Sequence, residues 1–100
     1  MRTIHNTTFI VNPEIEDEWI KFVNKDYVSM LAQHNIVKDI IFSKVSIDQP
    51  EGNTYSLQIV FHDKDVPQQF YDELLPYFEG KLLQHYKDRY LCFSSLLHEL

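Results

Sequence analysis

The chain has 100 residues, 44% of them hydrophobic and 14% aromatic, with only 2 glycines and 4 prolines. This composition argues against disorder, linkers and repeats and predicts a single domain spanning residues 1–100. A formal net charge of −6, with no basic cluster to offset it, argues against nucleic acid and against an anionic membrane surface, because both are held by Lys and Arg neutralising phosphates.

Thr3 to Val11 is rich in Thr, Ile, Phe and Val and reads as a first strand. Asn12-Pro13 then supplies an N-cap residue and a proline at the first helical position. Glu14, Glu16, Asp17 and Glu18 follow, placing negative charge at the positive end of the helix dipole. Ile15, Trp19, Phe22, Val23, Tyr27, Met30 and Leu31 recur at three- and four-residue spacing, the apolar stripe of a helix running to about His34. Trp19 on that stripe is expected to be a core residue. Asp26 falls among Ile15, Trp19 and Phe22 on the same wheel, and the sequence offers no account of it.

Val37 to Ile47 is β-branched and aromatic, a second strand. Pro50 and Gly52 mark a turn over Asp48 to Asn53. Thr54 to His62 alternates strictly: Tyr55, Leu57, Ile59 and Phe61 share one face, and Thr54, Ser56, Gln58, Val60 and His62 share the other. Asp65 with Gln68 resembles a capping box opening a second helix. Phe70, Leu74, Phe78, Leu82 and Tyr86 follow at strict four-residue intervals. In an ideal α-helix such a stripe drifts by about 40° per step, so the helix must deviate, and Pro76 and Gly80 mark where a bend is expected. Tyr90 to about Leu97 closes the chain as a fourth strand.

The order βαββαβ predicts an α+β, ferredoxin-like fold, with two helices on one face of a four-stranded antiparallel sheet. The sheet's other face is then open. If His5, Thr7, Phe9 and Val11 face the helices, Asn6, Thr8 and Ile10 lie on the open face, joined by Ser56, Gln58 and Val60, with Cys92 and Ser94 expected from the fourth strand. A face that mixes apolar and amide groups is rarely left bare. Asn6, Thr8, Ser56, Gln58 and Val60 are therefore the candidate dimer face or ligand-binding face.

Other chemistry finds little support. The histidines 5, 34, 62, 85 and 98 do not pair with one another at ligand spacing; His85 with Asp88 and His62 with Asp65 are isolated pairs, and zinc needs three or four convergent ligands. Cys92 stands alone, so no intramolecular disulfide forms, which suits a reducing compartment. It reads as a small buried hydrophobe. The carboxylates of Glu14 to Glu18 are sufficiently explained by the helix dipole. No glycine-rich phosphate loop is present. No catalytic residue, metal or cofactor is assigned. The N-terminal residues lack the apolar run of a signal peptide, and no stretch approaches the ~20 residues of a membrane span, so a cytoplasmic location is expected.

Three segments, His5-Asn6-Thr7-Thr8-Phe9, Tyr55-Ser56-Leu57-Gln58 and Phe93-Ser94-Ser95-Leu96-Leu97, resemble in order and spacing a family of short bacterial proteins of unknown function. The family is similar to the dimeric α+β barrel group, in which two ferredoxin-like subunits pack open face to open face. The resemblance implies that fold and a homodimer, and no reaction. Relatives carry Tyr in place of His5 and a His-Ile-Pro run near Tyr27-Val28-Ser29; this chain departs from both, so no role of that histidine carries over. Two functions compete: a non-enzymatic homodimer binding a small molecule or a protein partner, and a cofactor-free or haem-degrading monooxygenase of the dimeric barrel type. Asn6 and His85 superficially fit the second; Trp19 on the first helix does not.

Overall fold

A computed structural model describes residues 2–47 and 52–100; most of the predicted turn around Pro50 lies outside them. Four strands, β1 (Thr3–Val11), β2 (Val37–Val45), β3 (Asn53–Phe61) and β4 (Tyr90–His98), form one antiparallel sheet in the order β2-β3-β1-β4. This is the expected α+β arrangement. The β2–β3 connection re-enters the sheet at Gly52, whose φ of +149° and close approach to the Val11 carbonyl leave no room for a Cβ.

Period-two alternation sorts the residues of β1. Thr3, His5, Thr7, Phe9 and Val11 are buried; Ile4, Asn6, Thr8 and Ile10 between them are half-buried. Phe9 meets Trp19 edge to face at 5.1 Å, and Trp19 also packs on Phe42 and Tyr55. Trp19 is fully buried, as its place on the apolar stripe predicts, and its indole N–H has no hydrogen-bond partner among the described residues.

Both helices solve the same geometric problem. The fully or nearly buried residues of the first are Ile15, Trp19, Val23, Tyr27 and Leu31; those of the second are Phe70, Leu74, Phe78, Leu82 and Tyr86. Each set repeats every four residues. An α-helix would rotate each set steadily away from the sheet. Each helix corrects this with a wider π-helical turn, Val23–Val28 between α1 (Glu16–Phe22) and α2 (Ser29–Ala32), and Phe70–Leu74 ahead of α3 (Leu75–Tyr86). The Ser29 amide donates to the Asn24 carbonyl and the Leu75 amide to the Phe70 carbonyl, five residues back rather than four. More residues per turn means less rotation per residue, which winds the stripe back.

The expected bend at Pro76 is thus realised as a wide turn immediately before it, and the first helix achieves the same without proline. The shift in phase also accounts for Asp26. It lies in the π turn between buried Val23 and Tyr27 and is exposed. Tyr27 stacks flat on Phe78, with ring centroids 3.8 Å apart and planes 2° apart, locking the helices together.

Two helix starts differ from expectation. Asn12 does not cap the helix; its Oδ1 accepts the Glu14 amide at 2.9 Å in a turn, and α1 begins at Glu16. Asp65 forms no capping box with Gln68, whose amide instead donates to Asp72 at 3.0 Å. Pro67 supplies the carbonyl that the Phe70 amide reaches at 3.0 Å.

Three measurements test this core. Trp19→Ala should cost about 3–5 kcal/mol, as large aromatic truncations do; a urea melt showing less than about 1 kcal/mol would contradict the packing. Gly80 is exposed within α3, and a Cβ there meets nothing within 4 Å. Gly80→Ala should therefore stabilise by about 0.5–1 kcal/mol through helix propensity, and no rise in the melting midpoint would contradict that. His5 is 4% exposed against Phe70 at 4.9 Å, and burial lowers its pKa below 6.5. Below pH 6.5 the unfolded chain then binds a proton that the native chain refuses, so stability falls as pH falls, until the lower native value is reached. Wild type should lose more stability than His5→Leu between pH 7 and 5.5, the difference being at most about 1.4 kcal/mol per pH unit; equal losses would exclude the effect.

Candidate functional site

The strand registers place sixteen side chains on the face opposite the helices, in four rows across β2, β3, β1 and β4. The first row is Asp39, Val60, Ile4 and Leu97. The second is Ile41, Gln58, Asn6 and Ser95. The third is Ser43, Ser56, Thr8 and Phe93. The fourth is Val45, Thr54, Ile10 and Leu91. Six polar, uncharged groups from Gln58 to Ser43 occupy the middle two rows. Apolar residues dominate the outer rows, and each middle row has an apolar residue at one end, Ile41 on β2 and Phe93 on β4, with Ser95 and Ser43 at the other ends. Asp39 at one corner carries the face's formal charge.

The polar centre is partly organised. Ser56 donates to Asn6 Oδ1 at 2.8 Å, and the Asn6 amide reaches Thr8 Oγ1 at 3.5 Å. Apolar residues on the edge strands stand open: Leu91 is 61% exposed, Phe93 62% and Ile41 45%. Thr54 is buried on this face, and its hydroxyl has no hydrogen-bond partner among the described residues.

The five candidate residues are brought onto one face, with two adjustments. Val60 is fully buried within the single chain, so it supports the face and cannot line it. Cys92 and Ser94 do not join it. They pair with Phe9 and Thr7, the buried set of β1, and the hydroxyls of Thr7 and Ser94 lie 3.0 Å apart on the helix side. Phe93 and Ser95 take their place. A difference of one residue in register exchanges the faces of a strand, and the pairing with β1 sets the even-numbered residues of β4 toward the helices. Ser43 and Ile41 of β2 were not foreseen; the alternation of β2 is blurred in the sequence by Lys38, Asp39 and the register shift between Val37 and Asp39.

On the helix side, Glu16 is the best-tied charge. Its Oε2 accepts the Tyr55 hydroxyl and, at 2.8 Å, the Asn53 amide, with Lys44 Nζ at 3.7 Å. The Tyr55 hydrogen bond is the chief reason its carboxyl stays below the usual range, and burial, seconded by Glu16, pushes the Tyr55 hydroxyl up. This group pins the start of α1 to β2 and β3 and uses one of the acidic residues that suit the helix dipole. Cys92, expected as a buried hydrophobe, is instead exposed on β4; partial desolvation, with the Glu79 charge adding to it, still raises its thiol, which works against a thiolate nucleophile. Between α3 and β4, a cleft of about 50 Å³ runs past Cys92, Phe78 and Leu82, room for a water or two and little more.

The histidines are dispersed. His85 lies against Phe22 at 5.2 Å in the helix layer, whereas Asn6 lies on the opposite side of the sheet, so the fold does not bring the two together. Among the described residues no three His, Cys, Asp or Glu side chains converge, and no helix is long and apolar enough to cross a membrane.

No curated protein matches the chain in sequence. Solved structures share its fold at very low identity. An EthD family protein from Bacillus halodurans aligns with a TM-score of 0.68 at 10% identity, covering 98% of this chain and 99% of the other. A dimeric ferredoxin-like protein from an uncultured marine organism aligns with a TM-score of 0.56 at 11% identity, covering 99% of this chain and 94% of the other. The fold is therefore ferredoxin-like. The match to a family model spans residues 2–100, from β1 to the end of β4, and the chain belongs to the family described as a domain of unknown function, DUF4286.

Proposed function

We propose that this protein is a homodimer whose two open sheet faces pack together and enclose a site for a small, uncharged, hydrogen-bonding molecule. The carrying observation is the layout of the open face, a band of polar groups across its two middle rows between outer rows that are mostly apolar. The apolar residues supply the area that drives association. The polar band sits where two such faces would bury it, and buried polar groups without partners cost about 1–3 kcal/mol each. A ligand that presents both donors and acceptors meets that need, and apolar walls with a few polar groups are what small-molecule sites are made of. The near absence of charge on the face favours a neutral ligand over an anion or cation. The dimeric neighbour of the same fold supports the assembly. The reading is of a binding protein acting without metal or cofactor, in a cytoplasmic setting.

The oligomer is tested at Ile41, which is exposed on β2, rather than at Val60, where a charge would unfold the chain. Light scattering on a size-exclusion column should show that Ile41→Asp halves the particle mass at micromolar concentration with the fold retained. A wild-type mass near 12.0 kDa would reject the dimer. The site is tested by a thermal-shift screen of neutral amides, alcohols and ureas. A true ligand at about 100 times its Kd stabilises by about 2.7 kcal/mol, and Gln58→Leu should abolish that shift. Shifts unchanged in Gln58→Leu would place the ligand elsewhere.

A further inference from the structure

We propose that β4 is a homotypic pairing edge, to which a second copy of this chain adds its own β4, antiparallel, about a two-fold axis through Ser94. The contact is separate from open-face packing, since it joins chains side by side and leaves their open faces uncovered; together the two contacts join open-face dimers into a tetramer, and loss of either one leaves a dimer.

The two edges of the sheet are built differently. Edge strands template further pairing unless blocked by charge, proline or a bulge. β2 is blocked: Lys38, Asp39 and Lys44 are exposed on it, and its register shifts between Val37 and Asp39. β4 carries no charged residue, proline or glycine in its nine positions, YLCFSSLLH, and its register to β1 is unbroken from Tyr90 to His98. At the ends of the β1–β4 ladder, the Arg89 carbonyl accepts from Asn12 and the Glu99 amide donates to Arg2. The odd-numbered residues therefore turn their backbone groups inward, and Tyr90, Cys92, Ser94, Leu96 and His98 turn theirs outward along the edge.

Leu91 to His98 are exposed on both faces of the strand, Phe93 and Leu97 on one and Leu96 on the other. Open-face packing covers only one of these sets. A strand added beside β4 borders both.

Side-chain complementarity fixes the occupant and the register. Pairing about Ser94 sets Leu91 against Leu97 and Cys92 against Leu96, each contact occurring twice by symmetry; it also sets Arg89 against Glu99, which within the chain are paired with Glu14 at 3.2 Å and Arg2 at 2.8 Å and would share those partners. Opposed residues share parity, so both sheets keep their open faces on the same side. Moving the axis to Ser95 would set Leu91 against Glu99, and moving it to Phe93 would set Arg89 against Leu97. Neither keeps the apolar and charged pairs together.

The test is cysteine cross-linking in a Cys92→Ser background. At the axis, Ser94 and its copy form a hydrogen-bonded pair with Cα atoms about 5.5 Å apart, inside the roughly 4.4–6.8 Å range of disulfides. Ser94→Cys should give a disulfide-linked dimer under mild oxidation, and should still do so with Ile41→Asp added. Ser95→Cys, offset by two residues from its own copy, should not. Ser94→Pro removes an amide that points outward and leaves the ladder to β1 intact, as edge positions tolerate. It should halve the wild-type mass in light scattering. Cross-linking equal at the two positions, no cross-link at Ser94→Cys, or a folded Ser94→Pro of unchanged mass would each overturn the proposal; if Ser94→Pro fails to fold, the cysteine pair decides.

Discussion

The alternation of β1 is the constraint on which the rest depends. As a central strand it is flanked by β3 and β4, and its side chains go by turns to two different environments. His5, Thr7, Phe9 and Val11 meet the helices; Asn6, Thr8 and Ile10 do not. A slip of one residue would carry Asn6 and Thr8 into an aromatic core and Phe9 out of it. The register of β3 and β4 follows from that of β1, and with it the composition of the open face.

The helices answer to the same sheet. A stripe of five residues at four-residue intervals stays over one strip of strand only if the drift of the α-helix is undone, and the π turns at Val23–Val28 and Phe70–Leu74 undo it. Phe70 and Tyr71 of the second turn border His5, which burial holds neutral. Glu16 fixes the other end of the layer through Tyr55 and Asn53. The charged groups with resolved roles thus serve the helix layer, and the opposite face keeps amides and hydroxyls framed by aliphatic and aromatic residues.

This division explains why function is sought on the open face. The helix side is taken up by core packing: Trp19 is fully buried between Phe9, Phe42 and Tyr55, and His85 lies against Phe22. The open face has neither a second layer nor the charges of an ordinary solvated surface. β4 adds to this, because it is exposed on both sides from Leu91 onward.

The sequence by itself determined the four strands, the two helices and their order, because β-branched runs, period-two alternation and recurring apolar residues are local signals. It also determined that Asn6 shares a face with Thr8, and Ser56 with Gln58, since alternation within a strand needs no knowledge of its partner; that the two pairs lie on one face was decided by the β1–β3 register. Only the tertiary structure decided which side β4 presents: YLCFSSLLH has apolar and small residues at both parities, and pairing with β1 alone sends Phe93 outward and Cys92 toward the helices. It alone decided how the four-residue stripes are accommodated, since the drift signals that a helix must deviate but not by what turn, and the exposure of Asp26 follows from that choice. It alone buried Val60, because whether a residue on an open face is covered depends on neighbours that lie far away in sequence.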